Sequence, residues 1–300
     1  MPARIGPAGV WSNFDRLPGN EVVAFARSAE AAGYDTFWTQ ETAGRDPFSL
    51  LGHLAGLTER MGLAVGIAVI YGRDAVAMRA GAGTVHELSA GRMLLGLGAS
   101  HRDTVSEVRG HDYRGPLSAM RRYLAAYKAA PFGGPQPHGR PPVVLAALRP
   151  RMLELAGSAA DGAFPYLVPE SYVAGARVRL DRAASEADRP RPLLVVSLAC
   201  LRETDPATAR AAARAYLDRY LGLPNYLNNL REAGFSDEDL AKPGSDRLVD
   251  SLVAWGDDAT LRARLRAMLA AGADQVGLIP LTQEGLHADR ATMEALAPPW

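Results

Sequence analysis

The chain has 300 residues, 48% of them hydrophobic and 22% charged, and 33 basic side chains balance 33 acidic ones for a net charge of zero. That balance excludes a basic nucleic-acid platform and an adhesive for acidic membranes, and the apolar share is enough for a sizeable core. The basic residues are all arginine except Lys128 and Lys242, a bias that reads as that of a high-GC genome, with a phosphate-gripping surface as the second reading.

One cysteine, Cys200, excludes an internal disulfide framework or thiolate cluster and fits a reducing cytoplasm. Met1-Pro2-Ala3-Arg4 opens no signal-peptide apolar region. The longest uncharged apolar run, residues 61–72, is short of the roughly 20 residues that a spanning helix needs, so a soluble, cytoplasmic protein is expected.

In chain order, short aliphatic runs predict strands over 4–11, 36–40, 63–70, 93–98, 143–147, 163–166, 193–201 and 275–281. Between them the apolar spacing becomes helical, as in Val22, Phe25, Ala26 and Ala29, in Leu117, Met120, Leu124 and Tyr127, and in Leu261, Leu265, Met268 and Leu269. Asp205-Pro206 reads as an N-cap followed by proline at the first helical position. Ala32-Gly33-Tyr34-Asp35, Ser89-Ala90-Gly91-Arg92 and Ala271-Gly272-Ala273-Asp274 each read as a glycine closing a helix before a buried strand.

Eight such βα units predict a single-domain (β/α)8 TIM barrel over 1–300. The rival, a doubly wound open sheet, lacks a GxGxxG after the first strand. The proline- and glycine-rich stretch 131–142 is a loop, and 222–250 is an insertion after the seventh strand.

Barrel active sites gather at the carboxyl ends of the strands. Those ends hold Trp11, Ser12 and Asn13; Trp38 with Gln40 and Glu41; Tyr71 and Arg73; the run Gly96-Leu97-Gly98-Ala99-Ser100-His101; Ala147-Leu148-Arg149; and Tyr166. A glycine-rich turn lets backbone amides approach an anion or a flat ring, though a tight βα turn explains it equally well. Pro150 at a helix start makes the 146–151 turn a second anion candidate, with Arg149 or Arg151 able to add side-chain charge. His101 is the candidate acid or base, and Glu41 a carboxylate able to accept a hydrogen bond from a ring, or a capping or ion-paired acid. His53, His86, His111, His138 and His287 read as structural or solvated, and Cys200 as a small buried residue. No HxH, HExxH, GxSxG or EF-hand pattern appears, so neither a metal site nor a serine hydrolase is expected.

Several strings resemble the coenzyme F420-dependent oxidoreductase branch of the luciferase-like superfamily. They are Gly66-Ile67-Ala68 with Arg73-Asp74-Ala75; Ala90-Gly91-Arg92 with Leu95 to His101; Leu145-Ala146-Ala147-Leu148 with Met152-Leu153; Ala160-Asp161-Gly162; Leu223-Pro224-Asn225-Tyr226; and Ala271-Gly272-Ala273-Asp274. The resemblance implies a homodimeric barrel enzyme that binds F420 and passes a hydride between the deazaflavin C5 and a small organic substrate. His101 would give or take the proton, with Glu41 near the ring. Gly98, Ala99 and Ser100 with Ala147, Leu148 and Arg149 would hold the cofactor phosphate. A non-proline cis peptide at Ala68–Val69 would form a bulge against the ring.

This chain has Arg149 where relatives commonly have glycine and Val69 where they often have asparagine. Leu167-Val168-Pro169-Glu170 stands where the sugar-phosphate branch carries lysine, which argues against glucose 6-phosphate as substrate. The alternatives within the same fold are an FMN-dependent monooxygenase and a non-catalytic barrel that acts as a binding subunit.

Overall fold

The computed structural model describes residues 5–300, so Arg4 of the first predicted strand lies outside the described residues. The elements alternate along the chain. The first half runs β1 (Ala8–Trp11), α1 (Gly19–Ala31), β2 (Thr36–Thr39), α2 (Pro47–Ala55), β3 (Gly62–Val69), α3 (Ala75–Leu88), β4 (Met93–Gly98), α4 (Pro116–Ala129), β5 (Val143–Leu145) and α5 (Pro150–Ala159). The second half runs β6 (Gly162–Ala163), α6 (Glu170–Glu186), β7 (Leu193–Leu201), α7 (Pro206–Leu217), α8 (Pro224–Glu232), α9 (Asp237–Leu240), α10 (Asp246–Leu252), β8 (Val253–Trp255), α11 (Asp258–Ala270), β9 (Gln275–Leu281) and α12 (Arg290–Ala295). The fold is the (β/α)8 TIM barrel that the alternation predicts. The 222–250 insertion is helical, and β8, three residues long, is an extra strand that no periodicity announces.

The chain divides into two compact units. In the first, built on Thr36–Phe164 with Arg179–Leu193, β2 to β6 pair in sequence order, all parallel. Trp38 stacks on Phe164 with ring centroids 4.9 Å apart in its core. In the second, Gly6–Asp35, Pro165–Val178 and Leu194–Trp300, β1 pairs β9, β9 pairs β7, and β7 takes β8 on its last three residues, again all parallel. Nearly every strand residue is buried, as expected of parallel strands with both faces covered, which is why the strands read as continuous apolar runs.

The recurring wording before the strands has a physical reason. Gly33, Gly91 and Gly272 hold φ of 92°, 87° and 114°, a left-handed conformation that costs a residue with a Cβ, so each helix stops there and the chain turns into a strand. The aspartate that follows clamps a neighbouring strand at two points. Asp35 accepts the Ala8 amide through Oδ2 at 2.9 Å while its own amide donates to the Ala8 carbonyl at 2.7 Å. Asp274 does the same to Leu194, accepting at 2.7 Å and donating at 2.8 Å. Asp161 repeats the device on Val143 without a preceding glycine.

The Ser89–Arg92 turn carries arginine instead of aspartate and clamps differently. The Arg92 guanidinium donates to the carbonyls of Ala55, Thr58, Met61 and Ser89 and to the Thr58 hydroxyl, all within 2.9 Å. Lysine, a point charge, could not make this fork of bonds.

Asp274 also pairs with Arg177 at 3.0 Å, and only 9% of that arginine side chain is exposed. Asp274→Ala therefore removes the Leu194 clamp together with one ion-pair partner of a buried guanidinium and is expected to cost about 3 kcal/mol, against about 1–2 kcal/mol for Asp35→Ala. Urea unfolding of the two variants beside the wild type checks the order; equal losses would deny the Arg177 pair its weight.

Candidate active site

In the first unit the sequence-predicted residues gather around β3 and β4. The register between these strands shifts between Val65 and Ala68, and the non-proline cis peptide lies at Gly66–Ile67. This corrects the Ala68–Val69 expectation by two residues. The displacement follows from packing: Ala68 and Val69 are back in register with Leu97 and Gly98 and are 0% and 2% exposed, whereas Ile67 stands half-buried between them and Gly66. A Cβ at Gly98 would lie 2.5 Å from the Ile67 side chain, and one at Gly96 would collide with the Val65 carbonyl. The two glycines thus serve the bulge, a role that a phosphate-loop reading of the same string does not contain.

Glu41, two residues past β2, has its carboxylate 5% exposed and fully engaged. Oε2 accepts the Val69 amide at 2.7 Å and Arg73 at 2.9 Å; Oε1 accepts Arg109 at 3.2 Å. Its own amide donates to the Ile67 carbonyl at 3.1 Å, so this one residue holds both sides of the bulge. Gly72 makes the arrangement possible, since a Cβ there would lie 2.7 Å from Glu41 Oε1 and 3.0 Å from the Arg109 guanidinium. Arg73 is held further by Asp46, the N-cap of α2, and lies 4.9 Å over the Phe48 ring. Charge-assisted bonds in so little solvent are among the stronger ones, which makes the carboxylate a brace as much as a ligand group.

After β4, Ala99 leads to Ser100 at φ 58°, whose carbonyl accepts the Tyr113 hydroxyl at 3.1 Å. His101 follows, half-buried, and its carbonyl accepts the Val105 amide at 2.9 Å, opening a short helical turn that ends at Arg109. The Arg109–Glu41 pair therefore fastens the segment that carries His101. Tyr71, two residues past β3, sits 6.1 Å from Tyr113 between ring centroids, and its buried hydroxyl has no hydrogen-bond partner among the described residues. Ala147 is buried, Leu148 and Arg149 half-buried. Arg149 is the N-cap of α5, but its carbonyl takes the amides of both Met152 and Leu153, so this helix start offers an anion fewer free donors than proline at the first position suggests.

In the second unit, sequence reading picked out Trp11 and Tyr166 but missed the cluster they belong to. Tyr166 hydroxyl lies 2.7 Å from that of Tyr216 and 3.0 Å from that of Tyr220. Tyr226 packs edge-on to Tyr220 at 5.4 Å, and Trp11 lies 5.0 Å from Tyr166. His287, read as structural or solvated, joins them, edge-on at 5.5 Å to both Trp11 and Tyr216. Tyr216, Tyr220 and Tyr226 come from α7, the turn after it and α8, so the insertion helps build the cluster; recurrent tyrosine at 216, 220 and 226 was the available signal.

Burial raises the tyrosine pKa values and pushes His287 down to about 4, so all are uncharged near neutrality.

Two outcomes follow from these environments. Glu41→Gln leaves two largely buried guanidiniums facing a neutral amide, and is expected to cost about 2–4 kcal/mol by urea unfolding; a loss below 1 kcal/mol would mean that the brace is replaceable. For His287 the folded pKa of about 4 lies below the unfolded value of about 6.5. Its burial therefore adds nothing to the pH dependence above 6.5, and stability is lost as pH falls from there through 4. Between pH 7 and pH 4 the wild type should lose about 3 kcal/mol more than His287→Gln, and parallel stability–pH curves would contradict it.

The family model described as luciferase-like monooxygenase matches residues 4–275. A 5,10-methylenetetrahydromethanopterin reductase of Methanolobus tindarius is 31% identical over 219 residues, and the match covers 66% of each chain, a little under two thirds of the relative's length. Among solved structures, the coenzyme F420-dependent tetrahydromethanopterin reductase of Methanopyrus kandleri superposes with a TM-score of 0.75 at 16% identity, covering 98% of both chains. An FMN complex of a type II Baeyer–Villiger monooxygenase component from Pseudomonas putida superposes with a TM-score of 0.73 at 15% identity, covering 97% of this chain and 96% of that one. With a family model covering most of its length and a barrel that both solved counterparts share, the chain belongs to the luciferase-like family.

Proposed function

We propose that the chain is a coenzyme F420-dependent oxidoreductase. The reading is supported by the 31% identical reductase and by the F420-dependent counterpart among solved structures. The observation that carries it is the β3 bulge: Ile67 is half-buried while Val65, Gly66, Ala68 and Val69 around it are buried, an apolar side chain offered to a flat ring. Two glycines clear its surroundings and Glu41 braces the strand on both sides. These residues fit an apolar ring system that needs a rigid, dry backing.

Coenzyme F420, when bound, supplies hydride chemistry at its deazaflavin C5. In this reading Ile67 backs the ring, and the backbone of Gly98, Ala99, Ser100, Ala147 and Leu148 holds the phosphate with Arg149 beside it. Ala68 and Val69, buried in the strand, act by holding Ile67 out. His101 moves a proton to or from the oxygen of the substrate, and Glu41 positions that histidine through Arg109 and its loop. A barrel mouth with fixed groups and little water does the rest through orientation.

Titration of the purified protein with F420 and with FMN, followed by fluorescence, tests the assignment. F420 is expected to bind and Ile67→Ala to weaken it about tenfold, the worth of the lost apolar contact. Over a panel of ketones with reduced F420, His101→Ala should keep cofactor affinity and lower turnover about 100-fold or more, as for loss of a general acid. Tight FMN binding without F420 binding would reassign the chain to the FMN-dependent monooxygenases, and full turnover in His101→Ala would remove that residue from the chemistry.

A further inference from the structure

One side chain, Tyr113, engages both chain neighbours of His101. Ser100, which precedes the histidine, has φ of 58°, a left-handed conformation that a residue with a Cβ rarely adopts, and its carbonyl accepts the Tyr113 hydroxyl at 3.1 Å. Arg102, which follows it, places its guanidinium 5.7 Å from the centre of the Tyr113 ring. Tyr71 stands against the same ring with centroids 6.1 Å apart, so the phenol has a neighbour beyond β3 as well as in its own loop. All of these groups belong to the first unit.

The grip comes where the sheet stops guiding the chain. Up to Gly98 the backbone is set by the ladder, and the Gly98 carbonyl takes the Ile70 amide at 2.9 Å. Beyond it, the direction in which His101 departs depends on the torsions of Ala99 and Ser100. The Glu41–Arg109 pair anchors the segment only at the far end of the helical turn that follows His101. The Ser100 carbonyl, by contrast, belongs to the planar peptide that joins Ser100 to His101, so holding that oxygen fixes the plane from which the imidazole projects. Without the phenol, the left-handed turn loses a bond that offsets its cost, and the peptide is free to rotate toward the commoner negative φ. Burial holds the Tyr113 pKa above its ordinary value, so near neutrality the hydroxyl keeps the hydrogen that it donates.

We propose that Tyr113 is a positioning residue for His101, setting where the imidazole points through the Ser100 carbonyl and the Arg102 guanidinium. The proposal deepens the reading of the chain as an oxidoreductase and rests on His101 as the residue that moves the proton. Removing the phenol is expected to slow the chemistry without loosening binding.

The test joins a readout of the imidazole itself to one of turnover. Histidine ring resonances of the full chain without cofactor give the first, with the His101 signal identified by its loss in His101→Gln. Tyr113→Phe keeps the ring and removes only the hydroxyl. It is expected to shift or double the His101 signal while those of His86, His138 and His287 stay in place. Ser100→Gly, to which the left-handed turn costs little, should return the signal of the double variant to a single line near that of Ser100→Gly alone. With reduced F420 and a ketone panel, Tyr113→Phe should lower kcat about three- to tenfold, the worth of one hydrogen bond, at unchanged KM and F420 affinity. In the Ser100→Gly background the same loss should shrink to about twofold or less. An unmoved His101 signal in Tyr113→Phe would overturn the proposal. So would a turnover loss that Ser100→Gly leaves undiminished, the additive behaviour of a bond that serves stability alone. A shifted signal in a chain that does not bind F420 removes the cofactor assignment and leaves the grip on His101 standing. F420-dependent turnover that His101→Ala leaves intact removes the proton role and the proposal with it.

Discussion

The carboxylate of Glu41 is the constraint on which the first unit's site depends. A strand that bulges loses ladder hydrogen bonds and needs other partners for the freed groups. Here the partners are one residue: the Glu41 side chain takes the Val69 amide and its backbone reaches the Ile67 carbonyl. The same carboxylate draws Arg73 from the start of the next helix and Arg109 from the loop after β4. Three chain segments that are far apart in sequence thus share one buried negative charge, and moving it would shift Ile67, the Arg73 turn and the His101 segment together. In such a network the members cannot be assigned independent energies.

Much of the fold was legible in the chain because it depends on local pattern. Eight barrel strands appear where aliphatic runs predict them, β4, β7 and β9 to the residue, and Asp205 caps α7 with its side chain on the Thr208 amide. The misses have a common cause. The bulge follows from how β3 registers against β4, and nothing within 62–69 distinguishes a slip at Gly66–Ile67 from one at Ala68–Val69. Glu41 was readable as a strand-end acid, but its partner Arg109 is 68 residues away. His287 likewise reads as an outer-loop residue until the turn after β9 folds it against Trp11 and Tyr216.

The arginine excess looks different against this structure. Arg92 ties a turn together with five bonds; Arg210 bridges Asp246 and Asp250, and Arg214 joins Asp246 to the Gly244 carbonyl, fastening the insertion to α7. Each uses the forked geometry of guanidinium, which an ammonium cannot reproduce. Much of what composition alone suggests as phosphate-gripping capacity is therefore spent inside the protein, on carbonyls and carboxylates of its own backbone and helices.

The two clusters achieve rigidity by opposite electrostatic means. Around Glu41, two guanidiniums and an amide converge on one carboxylate whose side chain is 5% exposed. Around Tyr166, charge is avoided: burial keeps the phenols protonated and the imidazole neutral, so the groups hold one another through weaker hydrogen bonds and ring contacts. The difference bears on adaptability. A compensated ion network tolerates little movement, since displacing one member leaves another buried and unpaired. Neutral phenols can rotate their hydroxyl hydrogens at little cost to meet a new acceptor. The work of bracing a strand therefore suits the first arrangement, while the second leaves its members freer to reorient.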